Sequence, residues 1–416
     1  MRFRYSPVKV NGYPTVMKTH KYLILHVVIL ILFLLSSGTA FSNGSEKTIP
    51  SSVNPGLNHL LDMVTPGKAT TFNPEALTPV LDFVSSQKRP DAVYVSDDSF
   101  KSPSAYIELD LNHSLSALLK VSYNPDIPSY IMTPSSMRLS YWKGFSQGAE
   151  KYAGIWDVLP EYDAPIVIRG VETVENTPDI HTGAYYKYDL ERTMILFKHQ
   201  GKNVFISLSR QIGSSLVGKK GLVLGSDTDW NYLYSGEKGI NKFGLGWVDS
   251  YMYDSSSVIV FYEPDPGKPH VQCAVFKWLR AGWKNINMVQ NHHIYKGMRR
   301  WAADYKSIME HPEFPGAEAM EHAWLQIEKL DLEELRHANR LYYQSLKNRY
   351  DGDKSVSSKW AAKVLKDDSR VNESDVHEMR SVLVVEYLKS VLGKQHEIDV
   401  VSLYHLDSGQ LKLSSN

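Results

Sequence analysis

The sequence predicts an α+β fold in which an antiparallel sheet packs on a long helix and a mainly helical C-terminal region follows. Three observations carry this prediction. Short runs of β-branched and aromatic residues recur between residues 105 and 280, as in an antiparallel sheet. A one-sided apolar stripe follows Asn291, as in an amphipathic helix. Beyond Pro315 the chain changes to helical spacing with helix-capping residues.

The stretch at residues 245–253 places aromatic side chains, including Trp247 and Tyr251, at alternating positions. A period of two puts such side chains on one face of a strand. Short polar residues at 254–256 are typical of a turn, and residues 257–263 return as an apolar, β-branched run. We therefore predict a hairpin with its turn at 254–256.

A third strand is predicted at residues 270–280, and it is apolar on both faces. One face carries Ala274, Phe276 and Trp278, and the other carries Val271, Cys273, Val275 and Leu279. A strand of this kind must be covered on both sides. We therefore expect the next element to lie against this sheet.

That next element is a helix that starts near Asn291, a favourable N-cap residue, and ends before Pro312. Its apolar stripe consists of Ile294, Met298, Trp301, Ala302, Tyr305, Ile308 and Met309. Strands closed by such a helix resemble helix-grip lipid carriers at the level of topology. The resemblance implies a helix-grip-like arrangement, although a fold does not determine a function.

The other elements follow the same logic. A strand is expected at 105–111 and another at 166–174, and a meander at 183–190, 193–199 and 203–209 has turns at Glu191–Arg192 and Gly201–Lys202. Residues 135–144 and 147–155 look helical or irregular. Helices are expected at 317–330, from Asp331 to about Arg349, at 356–365 and at 375–392, with a last strand at 398–406. The predicted regions are a lead-in with short helices (43–104), the sheet with its closing helix (105–312) and the helical region (313–416).

The N-terminal 42 residues predict export. Residues 22–35 are almost wholly apolar and follow five basic residues, while Ala40 and Ser42 occupy the positions that a signal peptidase reads. Cleavage after Ser42 would release the protein, most simply into a bacterial periplasm. The alternative is an uncleaved membrane anchor formed by residues 22–42, a transmembrane helix, although the apolar core is short for a span of about 20 residues. Met17 is a possible true start.

Composition excludes several classes of function. Lys+Arg and Asp+Glu both total 46, so the chain lacks the basic excess of nucleic-acid-binding proteins. The single cysteine, Cys273, cannot form an internal disulfide and is expected to be buried.

Gly213 to Lys220 approaches the phosphate-binding loop but lacks its Ser or Thr after the lysine. Adjacent His292 and His293 point in different directions on a helix, so we expect neither a metal nor a cofactor.

The functional prediction rests on five aromatic residues, Trp247, Tyr251, Phe276, Trp278 and Trp301. They are expected to line a cavity between sheet and helix that binds an apolar ligand such as a lipid, because ligand pockets are largely aromatic. The same rings also suit an ordinary core. Two alternatives stay open. One is an envelope hydrolase that uses Asp249, Glu263 and His270, and the other is a structural protein that binds an envelope partner through the C-terminal helices.

Overall fold

The fold is built on a large antiparallel sheet. The computed structural model describes residues 47–68, 70–86, 94–95, 102–159, 161–178, 183–224, 229–242, 246–351 and 373–406. Its strands are β1 (Lys47–Thr48), β2 (Tyr94–Val95), β3 (Ser104–Leu111), β4 (Met137–Gln147), β5 (Ile166–Asn176), β6 (Ala184–Tyr185), β7 (Lys187–His199), β8 (Lys202–Gln211), β9 (Lys219–Val223), β10 (Tyr232–Lys238), β11 (Ile240–Lys242), β12 (Gly246–Val248), β13 (Tyr251–Glu263), β14 (Val271–Trp283) and β15 (Ile286–Asn287).

In the central sheet the strand order is β1-β2-β3-β14-β13-β8-β7-β5-β4, and β15 pairs with the end of β14. The first pair is parallel, and every other pairing recorded in this sheet is antiparallel. Two smaller sheets, β10-β9-β6 and β11-β12, lie apart from it.

Nine α-helices accompany these strands in the described part of the chain. They are α1 (Asn54–Asp62), α2 (Thr78–Ser85), α3 (Leu115–Ser122), α4 (Ala149–Tyr152), α5 (Asn291–Met309), α6 (Gly316–Lys329), α7 (Leu332–Tyr350), α8 (Val376–Val391) and α9 (Val400–Tyr404). Capping boxes start α7 at Asp331 and α8 at Asp375, where each carboxylate satisfies backbone N–H groups that lack a partner within the helix. The structure confirms the predicted α+β class, with a long helix on the sheet and helices at the C-terminal end.

The two faces of the sheet have different covers, and alternation along β14 shows which side chain meets which. Phe276 and Trp278 belong to the core formed with α1 and α2. Cys273 and Val275 belong to the core formed with α3, α5 and the C-terminal helices. We call the second surface the helix-facing surface. Because a strand projects successive side chains to opposite sides, residues one position apart on β14 face different helices.

Helix α5 is fixed along β3 at both of its ends. The Asn291 side chain accepts a hydrogen bond of 3.0 Å from the backbone N–H of Ser104, and Glu310 accepts one of 2.9 Å from that of Asn112. Its N-terminal end therefore lies at the level of Trp278 on β14, because Ser104 is paired with Trp278. The predicted extent of this helix matches the structure, but its N-cap residue is Gln290 rather than the predicted Asn291.

Four local predictions were wrong. Residues 254–256 are not a turn but part of β13, and Glu191–Arg192 lies within the continuous strand β7. Residues 135–144 lie largely in β4 rather than in a helix, and residues 400–404 form helix α9 rather than a strand. The first two errors have one cause. Polar residues in the middle of a strand look like turn residues when their burial and their partners are unknown.

Residues Glu46–Asn416 form one compact unit by their contacts. The predicted signal segment at 1–42 and the predicted helix at 356–365 lie outside the described residues. Among the described helices, none combines the length and the apolar composition that a bilayer crossing requires.

Candidate ligand site

The five aromatic residues proposed as ligand contacts are distributed over separate parts of the fold. Phe276 lies 4.6 Å from Tyr106, measured between ring centroids, and Trp278 shares its core under α1 and α2. Trp301 instead stacks on Tyr305 at 5.2 Å within α5. The prediction that Phe276 and Trp278 share a cavity wall with Trp301 is therefore wrong, because the sheet itself lies between them.

The other two residues lie at the margins. Tyr251 begins β13 opposite Gly282 and pairs with the ring of Tyr253 at 6.4 Å. Trp247 belongs to β12, whose partner is β11 rather than a strand of the central sheet, and its side chain lies outside the described residues. Only Trp301 therefore stays as an aromatic candidate on the helix-facing surface.

That surface instead carries a row of polar side chains that runs straight across four strands. Lys277 on β14 is directly opposite Ser257 on β13, which is opposite Ser209 on β8. Ser209 is in turn opposite Arg192 on β7. Directly opposed residues project to the same face of a sheet, and Lys277 follows Val275 by two positions. We call these four residues the polar row.

Hydrogen bonds tie the serines of this region together. The hydroxyls of Ser209 and Ser257 lie 2.6 Å apart, and the Lys277 ammonium donates to the Ser255 hydroxyl at 2.7 Å. Both Ser255 and Ser209 are buried. Burying a polar group without a partner costs free energy, so these pairings explain how the serines are tolerated in mid-sheet.

Arg192 has a carboxylate beside it. Its Nε lies 3.3 Å from Oε2 of the buried Glu172 on β5, and Glu172 also accepts a hydrogen bond from the Ser140 hydroxyl on β4. Neither Arg192 Nε nor Glu172 Oε2 completes a hydrogen bond with a described residue. Buried polar atoms normally have partners, so this pair has the capacity to bind a water molecule or a ligand atom.

Lys277 is the most strongly perturbed cation of the row. Burial lowers the pKa of its amine to about 8; Asp254 opposes that shift and Arg192 reinforces it. A lowered lysine pKa means that the charged form lacks full compensation in its surroundings. Part of the Lys277 side chain is exposed, whereas its amine is desolvated by burial. An anion bound beside the amine would supply the missing compensation.

Tyrosine side chains surround the row. Burial raises the pKa of Tyr123 to about 12, although Arg192 opposes the shift. Burial likewise raises the pKa of Tyr188 to about 12, with Ser255 opposing it. The ring of Tyr123 packs edge-on against Phe205 at 4.5 Å. These phenols stay protonated near neutral pH, so their hydroxyls remain donors.

The residues proposed for a hydrolase do not form one site. Glu263, at the end of β13, accepts hydrogen bonds from the Leu115 backbone at 3.0 Å and from Asn203 at 2.8 Å. His270 pairs with Asp110 at 3.1 Å. Asp249 precedes the opposite end of β13, about 40 Å from Glu263 at roughly 3.3 Å per strand residue. A general base must reach its proton directly or through one water, so this combination is excluded.

A small cavity of about 40 Å³ lies elsewhere, between β4, β10 and helices α7 and α8. Its lining includes Trp230, Tyr232, Tyr234, Tyr342 and the buried Arg138. The Arg138 guanidinium lies 3.2 Å from Glu378 and 3.8 Å from the Tyr234 ring centroid. This volume holds a few water molecules at roughly 10–15 Å³ each, which is far too small for a lipid.

The described residues contain no group of three or more His, Cys, Asp and Glu side chains with a metal-binding arrangement. Cys273 is buried, as predicted, and burial raises the pKa of its thiol. A buried thiol of this kind is inert.

The polar row was missed because its members look like turn or surface residues in the sequence. A signal was nevertheless present. Lys277 occupies an alternating position on a face that is otherwise apolar, and neither residues 186–198 nor residues 251–263 contain a Gly or Pro. An isolated charge in such a strand indicates either a buried pair or a site.

Comparisons of the chain with protein-family models, with curated proteins and with solved structures found no match.

Proposed function

We propose that the protein is an exported, non-enzymatic binding protein that holds a lipid-like ligand between the central sheet and helix α5. The ligand's anionic group would lie against Lys277 and Arg192. The observation that carries this proposal is the polar row on the helix-facing surface. A structural sheet of this size would normally bury apolar side chains there.

Charge supports an anionic head group. The Glu172 carboxylate lies beside Arg192 and balances its charge. Lys277 instead has a hydroxyl as its hydrogen-bond partner. Asp254 attracts the Lys277 ammonium more weakly, and this attraction opposes the lowering of the Lys277 pKa. Two basic groups with one close carboxylate leave excess positive charge at the row. Burial strengthens the attraction between such charges and an anion.

An apolar body for the ligand is supported by the next rows of the same surface. Val275 lies opposite Ile259, two positions from Lys277 and Ser257, and Ile107 lies opposite Val275 on β3. Trp301 and Leu279 are partly buried against the same core. A polar end beside an apolar surface matches an amphipathic molecule better than a wholly apolar one.

The test compares two probes of equal chain length, dodecanoate and dodecanol, by calorimetric titration of the full chain. We expect dodecanoate to bind more tightly, Lys277→Met to remove the preference, and Lys268→Met to leave it unchanged. Lys268 is a matched control because it lies in an exposed loop with Asp265 as its partner. Equal binding of both probes, binding of neither, or a preference that survives Lys277→Met would contradict the proposal.

An envelope-protein partner on the C-terminal helices is a second candidate, favoured by the exposed side chains of Leu332, Leu341 and Leu403. Deletion of these helices is a poor test because α7 and α8 share the core of the sheet. Replacing the three leucines by serine and measuring site-specific cross-linking in the native host is cleaner. Unchanged cross-linking would remove this candidate.

A further inference from the structure

The structure carries a second notable surface, at the end of the central sheet where β8 and β14 finish. Four exposed large apolar side chains lie on two segments there. They are Leu216 (65% exposed), Ile286 (53%), Met288 (44%) and Ile212 (37%). Large apolar residues exposed together mark an interaction site rather than chance. We call this surface the apolar tip.

Hydrogen bonds show that the two segments are neighbours. Ser215, beside Leu216, donates its backbone N–H to the carbonyl of Met252 at 2.9 Å. Met252 is paired with Ala281, whose carbonyl accepts from the backbone N–H of Met288 at 2.8 Å. Because neighbouring strands lie about 4.8 Å apart, the two segments are within about 15 Å of each other.

A rigid hairpin presents part of the tip. Trp283 pairs with Ile286 across a two-residue turn, in which Lys284 and Asn285 have φ of 48° and 60°. Positive φ at both central residues defines the tight turn whose twist suits a hairpin. A Cβ at Gly282 would collide with the Ile286 carbonyl, and Asn285 donates its N–H to the Tyr253 hydroxyl at 2.9 Å. The exposed Ile286 is thus held outward rather than free to fold back.

The two segments of the tip carry basic side chains and no acidic ones. The sequence has no Asp or Glu in residues 192–226 or in residues 266–303, the two stretches that supply both segments. Lys284 lies over the Trp283 ring at 5.5 Å. Acidic side chains nearby lie on other segments: Asp189 is ion-paired with Lys143 at 2.9 Å, Asp254 on β13 is directly opposite Arg280, and Asp249 is exposed.

We propose that the apolar tip is a docking surface for an anionic phospholipid membrane. Apolar side chains around a Trp and a basic residue match the order of a bilayer interface, where indole rings lie at the head groups and Lys attracts anionic lipids. The proposal is independent of the ligand site, since Lys277 and Arg192 take no part in it.

The test places an environment-sensitive fluorophore on the full chain at Ile286→Cys. The single native thiol, Cys273, is buried, and the unlabelled parent controls for its reaction. We expect a blue shift on adding vesicles of phosphatidylcholine with phosphatidylglycerol and a weaker one with phosphatidylcholine alone. The same label at Leu341→Cys, an exposed leucine on α7, should not respond. This control separates docking at the tip from anchoring by residues 22–42.

The contribution of the Lys284 charge is tested by adding Lys284→Gln to the labelled protein. This change should weaken binding to the anionic vesicles about five-fold. Met288→Cys provides a second label if Ile286→Cys fails to fold. Equal shifts at positions 286 and 341, no shift at either 286 or 288, or vesicle binding that is indifferent to Lys284→Gln would each overturn the proposal.

Discussion

Lys277 and Arg192 lie in one row of side chains, separated only by Ser257 and Ser209, on the helix-facing surface of the sheet. Two basic side chains on a buried surface cost free energy unless they have partners. Glu172 offsets one of them. The other is Lys277, and its lowered pKa reflects the free-energy cost of burying its charged form.

This lowered pKa predicts a specific pH dependence of stability. The Lys277 pKa is about 8 in the folded protein, against 10.5 for an ordinary lysine side chain. Between these values the unfolded chain binds more protons, so the free energy of unfolding should rise with pH across that window. Thermal melts of the wild type and of Lys277→Met from pH 7.5 to 9.5 check this. We expect stability to rise with pH in the wild type but not in the variant. Parallel curves for the two proteins would refute this prediction.

Anion binding should show the opposite trend. Protonated Lys277 attracts a carboxylate and neutral Lys277 does not, so the affinity for dodecanoate should fall as pH increases through about 8. Calorimetric titrations at several pH values measure this. Dodecanol, which carries no charge, is the matched control and should bind equally throughout.

The buried Lys389 provides a test of the C-terminal core. Its ammonium donates to Glu386 at 2.8 Å and to Asn231 at 2.7 Å. Lys389→Met should lower the free energy of unfolding by about 3–5 kcal/mol, because it leaves a buried carboxylate uncompensated. Denaturant titration measures this loss. In the double variant Glu386→Gln/Lys389→Met the loss should be smaller, and an equal or larger loss would contradict the explanation.

Phe276 tests the assignment of the two sheet faces. Phe276→Ala removes a ring that is packed against Tyr106 and Phe83 and should cost about 3–5 kcal/mol of stability. Since Phe276 faces away from the polar row, the folded variant should bind dodecanoate as the wild type does. A large loss of affinity at a temperature where the variant is folded would show that the ligand lies on the other face.

Glu263 has a structural role that mutation should reveal. It links the start of α3 to Asn203 through two hydrogen bonds, so Glu263→Ala should cost about 1.5–3 kcal/mol. The control Glu318→Ala removes a carboxylate whose partner, Lys120, lies on the surface and should change stability little. Equal effects of the two variants in denaturant titrations would refute the role of Glu263.

Prediction from sequence succeeded where a periodic apolar pattern is the main determinant of structure. The stripe from Ile294 to Met309 defined helix α5, and the capping box at Asp331 located the start of α7. It failed at the serines of β13 and at Arg192. Their polarity favours a turn by local chemistry, while their burial depends on partners from distant strands.

The sequence by itself determined the α+β class and the long helix on the sheet, because both follow from the spacing of apolar side chains along the chain. Only the tertiary structure decided which residues share a surface. It placed Phe276 and Trp301 on opposite sides of the sheet and brought Lys277, Ser257, Ser209 and Arg192 into one row. Strand order and register set these relationships, and they arise from pairing between segments far apart in sequence.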